Sequence, residues 1–264
     1  MNIFVRLVFA ISLGFICYVP SVYSQSSFML VKKNGHYYTD ATINDNAIIP
    51  IFVETGFHGM VVSVEWYNRI LATLPLKEIK LQKEEHLHTD RTTRRIVKLF
   101  KGKVPVGDLM YEGRIFVVDT NEDYVTIPVN LLKSEADSTV CLIRFDFKKN
   151  VLDYVRKEEA SLGKMHQYTL VENDPMPIFE ATIELSDALG HQFTKFGKFN
   201  FDLGNGSSVF FFRRTMLPAL KENNFKIQTS RDKSGDIIGQ GIFAGYCKIG
   251  NKSKTGFSIG ITNK

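Results

Sequence analysis

Two short stretches with the same pattern constrain the fold of this chain most strongly. Residues 51–56 read IFVETG and residues 199–204 read FNFDLG. In each, strand-forming apolar residues end in one carboxylate, one uncharged residue and a glycine, and a glycine allows a tight turn directly after a strand. The sequence therefore predicts two strand ends that each present one acidic side chain, Glu54 and Asp202.

The surroundings of the two stretches are also repeated. Ala41-Thr42-Ile43 precedes the first stretch and Ala181-Thr182-Ile183 precedes the second, and each stretch is followed by an apolar segment and a short helical pattern. The same order of elements in both halves indicates an internal repeat. We therefore expect a mainly β protein of two related lobes with short helices.

Composition and charge limit the possible partners. The 264 residues include 33 lysines and arginines against 28 aspartates and glutamates, a formal net charge of +5, and 44% are hydrophobic. Basic residues are interspersed with acidic ones, which does not match the basic patch that nucleic acid requires. The densest basic cluster, residues 91–95, is predicted to be a solvated loop or hairpin edge. The hydrophobic content suffices for one sizeable core or two modest ones.

The first 24 residues are predicted to be a signal peptide. Arg6 is followed by an apolar run from Leu7 to Val19, and Val22 and Ser24 suit the positions before a cleavage site. The run is shorter than the roughly 20 residues of a membrane-spanning helix. We therefore expect a secreted, periplasmic or otherwise extracytoplasmic protein without a stable membrane span after cleavage. Cys141 and Cys247 would remain, and whether they pair is left open.

Beyond these patterns, the chain resembles the retropepsin-like and pepsin-like aspartic peptidases. Residues 41–63 resemble the active-site hairpin of that family, residues 127–133 (IPVNLLK) its later apolar segment, and residues 142–154 its closing strand pair. The resemblance implies a fold of the acid-protease barrel type. It divides the chain into a signal peptide (1–24), a first lobe (25–155), a connection (156–174) and a shortened second lobe (175–264).

The resemblance also implies a mechanism, in which one carboxyl group from each lobe shares a proton and the pair activates a water molecule. Glu54 and Asp202 would take the catalytic positions. The residues of the two active-site loops would be Thr55, Gly56, Leu203 and Gly204. The substrate would be a peptide or protein, no cofactor or metal would be needed, and the oligomeric state is not indicated.

This sequence departs from the family pattern at several positions. Glutamate replaces the first aspartate at position 54, and Leu203 replaces a threonine or serine. Phe57 and Asn205 stand where a small residue is usual, and Pro128 stands near an expected glycine. In the second lobe, no later apolar segment follows residues 237–250, so that lobe is expected to be incomplete.

Three functions remain open from the sequence. The first is an aspartic-type endopeptidase. The second is an inactive pseudo-peptidase that binds peptides or proteins in its cleft, which the departures at positions 54 and 203 favour. The third is a purely structural extracytoplasmic protein.

Other candidate sites have weaker sequence support. His86 and His88 could bind a metal, but an exposed polar hairpin is favoured because no third ligand has the spacing of a known motif. Cys141 lies in an apolar run, which is typical of a core residue. The remaining candidates lack the neighbours that a nucleophilic serine or a phosphate loop requires; they are Ser63, Ser207, Ser208 and residues 204–206.

Overall fold

A computed structural model describes residues 27–44, 48–88, 93–134, 142–155, 170–172, 176–204 and 210–262. The predicted signal peptide, Cys141, Asn205 and most of the predicted connection 156–174 lie outside these ranges. Most described residues are in β-strands, so the mainly β prediction is confirmed. Within the described ranges, no helix is both long enough and apolar enough to cross a membrane.

The first sheet contains ten strands and carries Glu54. Its strands are β2 (Val31–Lys33), β3 (His36–Thr42), β4 (Ile48–Glu54), β5 (Gly59–Ser63), β6 (Lys77–Ile79), β7 (His86–His88), β8 (Thr93–Val106), β9 (Leu109–Val118), β10 (Val125–Pro128) and β11 (Leu132–Ser134).

Glu54 is the last residue of strand β4, one face of which is buried. Ile49, Ile51 and Val53 are buried and alternate with less buried residues, as a two-residue period requires. On one side β4 pairs with β3, and on the other it pairs in parallel with β10, where Pro128 lies opposite Glu54. Strand β10 also pairs with β5, so the strands before and after the first loop are joined through β10.

The second large sheet contains seven strands, some before Asp202 in the chain and some after it. Its strands are β14 (Leu170–Glu172), β15 (Ile178–Ser186), β16 (Gln192–Asn200), β17 (Phe210–Phe212), β18 (Gln228–Arg231), β19 (Ile237–Ile249) and β20 (Lys252–Thr262).

The two sheets share one pairing pattern. In the ten-stranded sheet, β8 and β9 form a hairpin and β5 pairs in parallel with β9. In the seven-stranded sheet, β19 and β20 form a hairpin and β17 pairs in parallel with β20. The strand after each loop therefore joins a later hairpin in the same way, which agrees with the repeat seen in the sequence.

A small third sheet lies beside the first. It consists of β1 (Ser27–Met29), β12 (Leu142–Asp146) and β13 (Val151–Val155) in the order β1-β13-β12. At its centre Asp153, only 7% exposed, accepts hydrogen bonds from the side chains of Ser27 and Arg144. A buried carboxylate needs such partners, and these join all three strands.

The helices are short and follow the post-loop strands, as predicted. Val64–Trp66 continues as a π-helical turn, Tyr67–Leu71, and the Ser63 hydroxyl caps it by accepting a hydrogen bond from the Trp66 N–H (3.2 Å). Ser63 is therefore a capping residue. The other helices are a 3₁₀ turn, Val129–Leu131, and an α-helix, Arg213–Glu222.

Each large sheet has its own apolar core. The core of the ten-stranded sheet includes Ile51, Val53 and Tyr111, and that of the seven-stranded sheet includes Ile183, Leu220 and Ile259. One residue does not follow this division. Leu203 comes after β16 but packs in the core of the ten-stranded sheet.

Candidate active site

Glu54 is held by the backbone of both loops. Its Oε1 atom accepts hydrogen bonds from the N–H groups of Thr55 (2.8 Å) and Gly56 (2.7 Å), which follow it directly. The same oxygen accepts a third bond, 3.2 Å long, from the N–H of Gly204 in the second loop. The longer glutamate side chain therefore reaches across to the other loop.

Asp202 lies against Glu54. The two side chains are joined by a hydrogen bond, while the Asp202 side chain stays exposed to solvent. The structure thus brings together two carboxyl groups that lie far apart in the chain, one partly buried and one exposed.

The two glycines permit this approach. A Cβ atom on Gly56 would lie 2.9 Å from Cγ of Asp202, and a Cβ atom on Gly204 would overlap the Glu54 carboxyl group. Each loop therefore presents its glycine to the carboxyl group of the other loop, and any larger residue would push the pair apart.

Thr55 connects the loops through its hydroxyl group. Thr55 is 1% exposed, and its Oγ1 donates to the carbonyl of Phe201 (2.7 Å) and accepts from the N–H of Leu203 (2.9 Å). These two bonds hold the backbone on both sides of Asp202. The hydroxyl of the first loop therefore positions the acid of the second.

The pKa of Glu54 follows from this environment. Burial, the negative charge of Asp202 and the hydrogen bond with Asp202 raise it, the N–H donors of Gly56 and Thr55 lower it, and the net result is a pKa of about 7. Glu54 therefore carries a proton in mildly acidic solution. Since Oε1 already accepts three N–H groups, Oε2 is the atom that can carry this proton.

An aromatic cluster lies on the same side of β4 as Glu54, and sequence reasoning missed it. Phe52, two residues before Glu54, shares its side of the strand. The Phe52 ring contacts the rings of Tyr38 and Tyr124, with centroids 5.3 and 5.6 Å away, and those two rings lie 5.7 Å apart. Its position two residues before the acid is the signal that could have identified Phe52.

An ion pair borders the aromatic cluster. Arg94 pairs with Glu122, with side chains only 15% and 24% exposed, so this part of the predicted solvated basic cluster is half-buried. Burial, together with the hydrogen bond and charge of Glu122, raises the pKa of Tyr124. Strand β8 is thereby tied to the loop that precedes β10.

Phe57 is accommodated beside the first loop. It is partly buried in a small apolar cluster with Val61, Leu87 and Phe116, and its ring centroid lies 6.1 Å from that of Phe116. The bulky residue in place of a small one is therefore accommodated by apolar packing.

The other candidate residues do not join this site. His86 and His88 lie on β7 with ring centroids 6.2 Å apart, and the described ranges contain no group of three or more metal-ligating side chains suited to an ion. Cys247 is a buried free thiol whose pKa burial raises to about 11. Ser207, Ser208 and Gly206 lie outside the described residues.

Comparison with known proteins shows similarity to solved structures and to no family model. No protein-family model and no curated protein matches the chain. Among solved structures, that of a retropepsin-like aspartic protease from Rickettsia conorii matches 50% of this chain and 94% of that chain, with 18% sequence identity and a TM-score of 0.28. The function of this chain has to be inferred from the two loops themselves.

Proposed function

We propose that this chain is an exported aspartic-type peptidase that hydrolyses peptide bonds with Glu54 and Asp202. One observation carries the proposal. The two loops place a partly buried carboxyl group with a raised pKa in hydrogen-bond contact with an exposed one. Such a pair supplies an acid and a base at the same pH, which peptide hydrolysis by activated water requires.

The different environments of the two acids suggest their roles. Asp202 is the accessible base, which takes a proton from a water molecule as the water oxygen attacks the peptide carbonyl carbon. Glu54 is the partly buried acid, which gives its Oε2 proton to the carbonyl oxygen and so forms a tetrahedral diol. When the diol collapses, the carbon–nitrogen bond breaks. The proton held by Asp202 passes to the leaving amine, and a diol hydroxyl returns a proton to Glu54.

The glutamate at position 54 is compatible with this geometry. Its extra methylene moves the carboxyl group by roughly 1.5 Å, which would cost about a hundredfold in rate if it were uncompensated. Here the longer side chain brings Oε1 within 3.2 Å of the Gly204 nitrogen, and the glycine at position 204 leaves room for the carboxyl group. The longer side chain is therefore part of the assembled pair.

The proposed architecture is two related lobes, residues 25–155 and 175–264, with the acids where the lobes meet. The repeated strand pairing and the separate apolar cores support it. Residues 156–174 would connect the lobes, and cleavage after residue 24 would release the protein to an extracytoplasmic location. The expected substrate is an extended peptide or an unfolded protein segment.

The test is digestion of a denatured protein from pH 3 to 7 by the wild-type chain and by Asp202→Asn, Glu54→Gln and Glu180→Gln. Glu180 is an exposed carboxylate on β15 and serves as the matched control. We expect cleavage by the wild type and the control, at least a hundredfold less by the other two, and inhibition by a statine-type transition-state mimic. Equal cleavage by wild type and Asp202→Asn would overturn the proposal.

A second candidate is an inactive cleft that binds peptides. It is favoured by position 203, where a leucine supplies no hydroxyl to brace Glu54 from the second loop. It predicts no cleavage by the wild type, together with peptide binding that Asp202→Asn retains. Isothermal titration with a peptide library separates it from the peptidase.

A further inference from the structure

The brace between the loops is one-sided. The Thr55 hydroxyl bonds to the backbone on both sides of Asp202, at Phe201 and Leu203. A symmetrical arrangement would return a hydroxyl from position 203 to the first loop. Leucine cannot do this, because its side chain has no hydrogen-bonding atom. The second loop must therefore be fixed against the first partly by other means.

Leu203 provides an apolar connection instead. It is 6% exposed and belongs to the core cluster of the ten-stranded sheet, although the chain on both sides of it belongs to the seven-stranded sheet. Phe201 packs against the same cluster, and its ring centroid lies 5.5 Å from that of Phe145 on β12. Both neighbours of Asp202 are thus anchored in the core of the other half.

This arrangement restricts the backbone at Asp202. Two anchored side chains flank the exposed acid, and the hydroxyl of Thr55 fixes the peptide groups between them. A core packed at crystal-like density does not let a buried leucine shift freely. The position of the Asp202 carboxyl group relative to Glu54 is therefore set by packing as well as by hydrogen bonds.

We propose that Leu203 is a positioning residue, whose burial in the core of the ten-stranded sheet holds Asp202 against Glu54 in place of a second hydroxyl brace. The proposal rests on the proposed function in one respect, the role of Asp202 as base. The geometric part concerns only the distance between the two carboxyl groups. That part is measurable even in a protein that cleaves nothing.

The test compares Leu203→Ala, Leu203→Met and Leu217→Ala with the wild type. Leu217 is 8% exposed in the core of the seven-stranded sheet, so its truncation also leaves a cavity but in the other apolar core. Two quantities are measured for each folded variant. They are kcat and KM for a peptide, and the pKa of Glu54 from carboxyl ¹³C NMR.

We expect Leu203→Ala to lower kcat at least tenfold with KM within about twofold, since a small displacement of a catalytic group affects the chemical step most. Its Glu54 pKa should fall towards the ordinary value as the Asp202 charge moves away. Leu203→Met, which retains apolar volume, should keep kcat within about threefold. Leu217→Ala should change stability but neither kcat nor the Glu54 pKa.

The outcomes distinguish this proposal from the proposed function. If the wild type is inactive but Leu203→Ala lowers the Glu54 pKa, the peptidase proposal fails and the positioning role stands. If a folded Leu203→Ala variant retains both kcat and the Glu54 pKa, the positioning role is wrong. If Leu203→Ala does not fold, Leu203→Val is measured in the same way and is expected to show the same changes to a smaller extent.

Discussion

At the scale of single residues, the site depends on which groups contact the two acids. Oε1 of Glu54 accepts N–H groups from Thr55, Gly56 and Gly204, and these bonds draw one carboxyl group into the junction of both loops. Asp202 remains exposed beside it. The same pair of residue types on the protein surface would ionise independently, whereas here one acid keeps its proton.

Gly204→Ala is expected to abolish the pairing of the two acids. Its Cβ atom would overlap the Glu54 carboxyl group, so the loops must separate. Cleavage should fall at least a hundredfold, because misplacement by about 1 Å has that effect.

Gly197→Ala is the matched control, since a Cβ atom on Gly197 in β16 meets nothing within 4 Å. It should retain wild-type cleavage. Equal peptide-cleavage rates for the two alanine variants would contradict the close approach of the loops.

The pH dependence of cleavage should reflect Glu54. Its carboxyl group must hold a proton to act as the acid, and its pKa is about 7. We expect kcat to fall about tenfold per pH unit above pH 7. Steady-state kinetics from pH 5 to 9 would show this, and a constant rate up to pH 9 would exclude Glu54 as the acid.

At the scale of elements, strand pairing positions both acids: Glu54 is the last residue of β4, and Asp202 follows the end of β16 by two residues. Strand β4 lies between β3 and β10, which fixes Glu54 from both sides. Strand β16 pairs with β15 along its whole length and leads directly to Asp202. The Thr55 hydroxyl then joins the ends of β4 and β16, so two elements from different sheets behave as one site.

Thr55→Val should weaken both the fold and the site. It keeps the shape of the side chain but leaves the Phe201 carbonyl and the Leu203 N–H without their hydroxyl partner. We expect the free energy of unfolding to fall by about 1–3 kcal/mol, the cost of leaving buried polar groups unpaired. Chemical denaturation measures the free energy of unfolding and steady-state kinetics measure kcat. We expect kcat to fall as well.

Thr39→Val tests whether such a loss acts on cleavage through stability alone. Thr39 is 6% exposed and donates a hydrogen bond to the Met29 carbonyl, which belongs to neither loop. It should lose a comparable amount of stability and keep its kcat. A similar loss of kcat in both variants would show that Thr55 has no specific positioning role.

At the scale of the whole molecule, the raised pKa of Glu54 links folding to pH. The unfolded chain releases this proton near pH 4.5, whereas the folded chain keeps it up to about pH 7. Between these values the folded state binds more protons than the unfolded state, so stability decreases as pH rises. The site is therefore assembled at the expense of stability near neutral pH.

Glu54→Gln should remove this contribution. The glutamine has no proton to lose, so its free energy of unfolding should decrease less between pH 4.5 and pH 7 than that of the wild type. Urea denaturation at several pH values measures the difference. If the wild type and Glu54→Gln show parallel pH dependence, the pKa of Glu54 is not raised in the folded protein.

The local pattern alone determined several features of this protein. The apolar run before Glu54 predicted a strand, and the structure contains it as β4. The carboxylate–X–glycine ends identified Glu54 and Asp202, and the short helices after each loop lie where their spacing predicted them. These features depend on residues that are neighbours in the chain.

Only the tertiary structure decided how the two halves meet. The sequence identifies Leu203 only as a residue of the second loop, yet it is buried in the core of the other sheet. Arg94 is predicted to be solvated, yet it pairs with Glu122. The proton on Glu54 likewise depends on burial and on Asp202, which is remote in the chain. Contacts of this kind depend on the packing of distant segments, and no local periodicity records them.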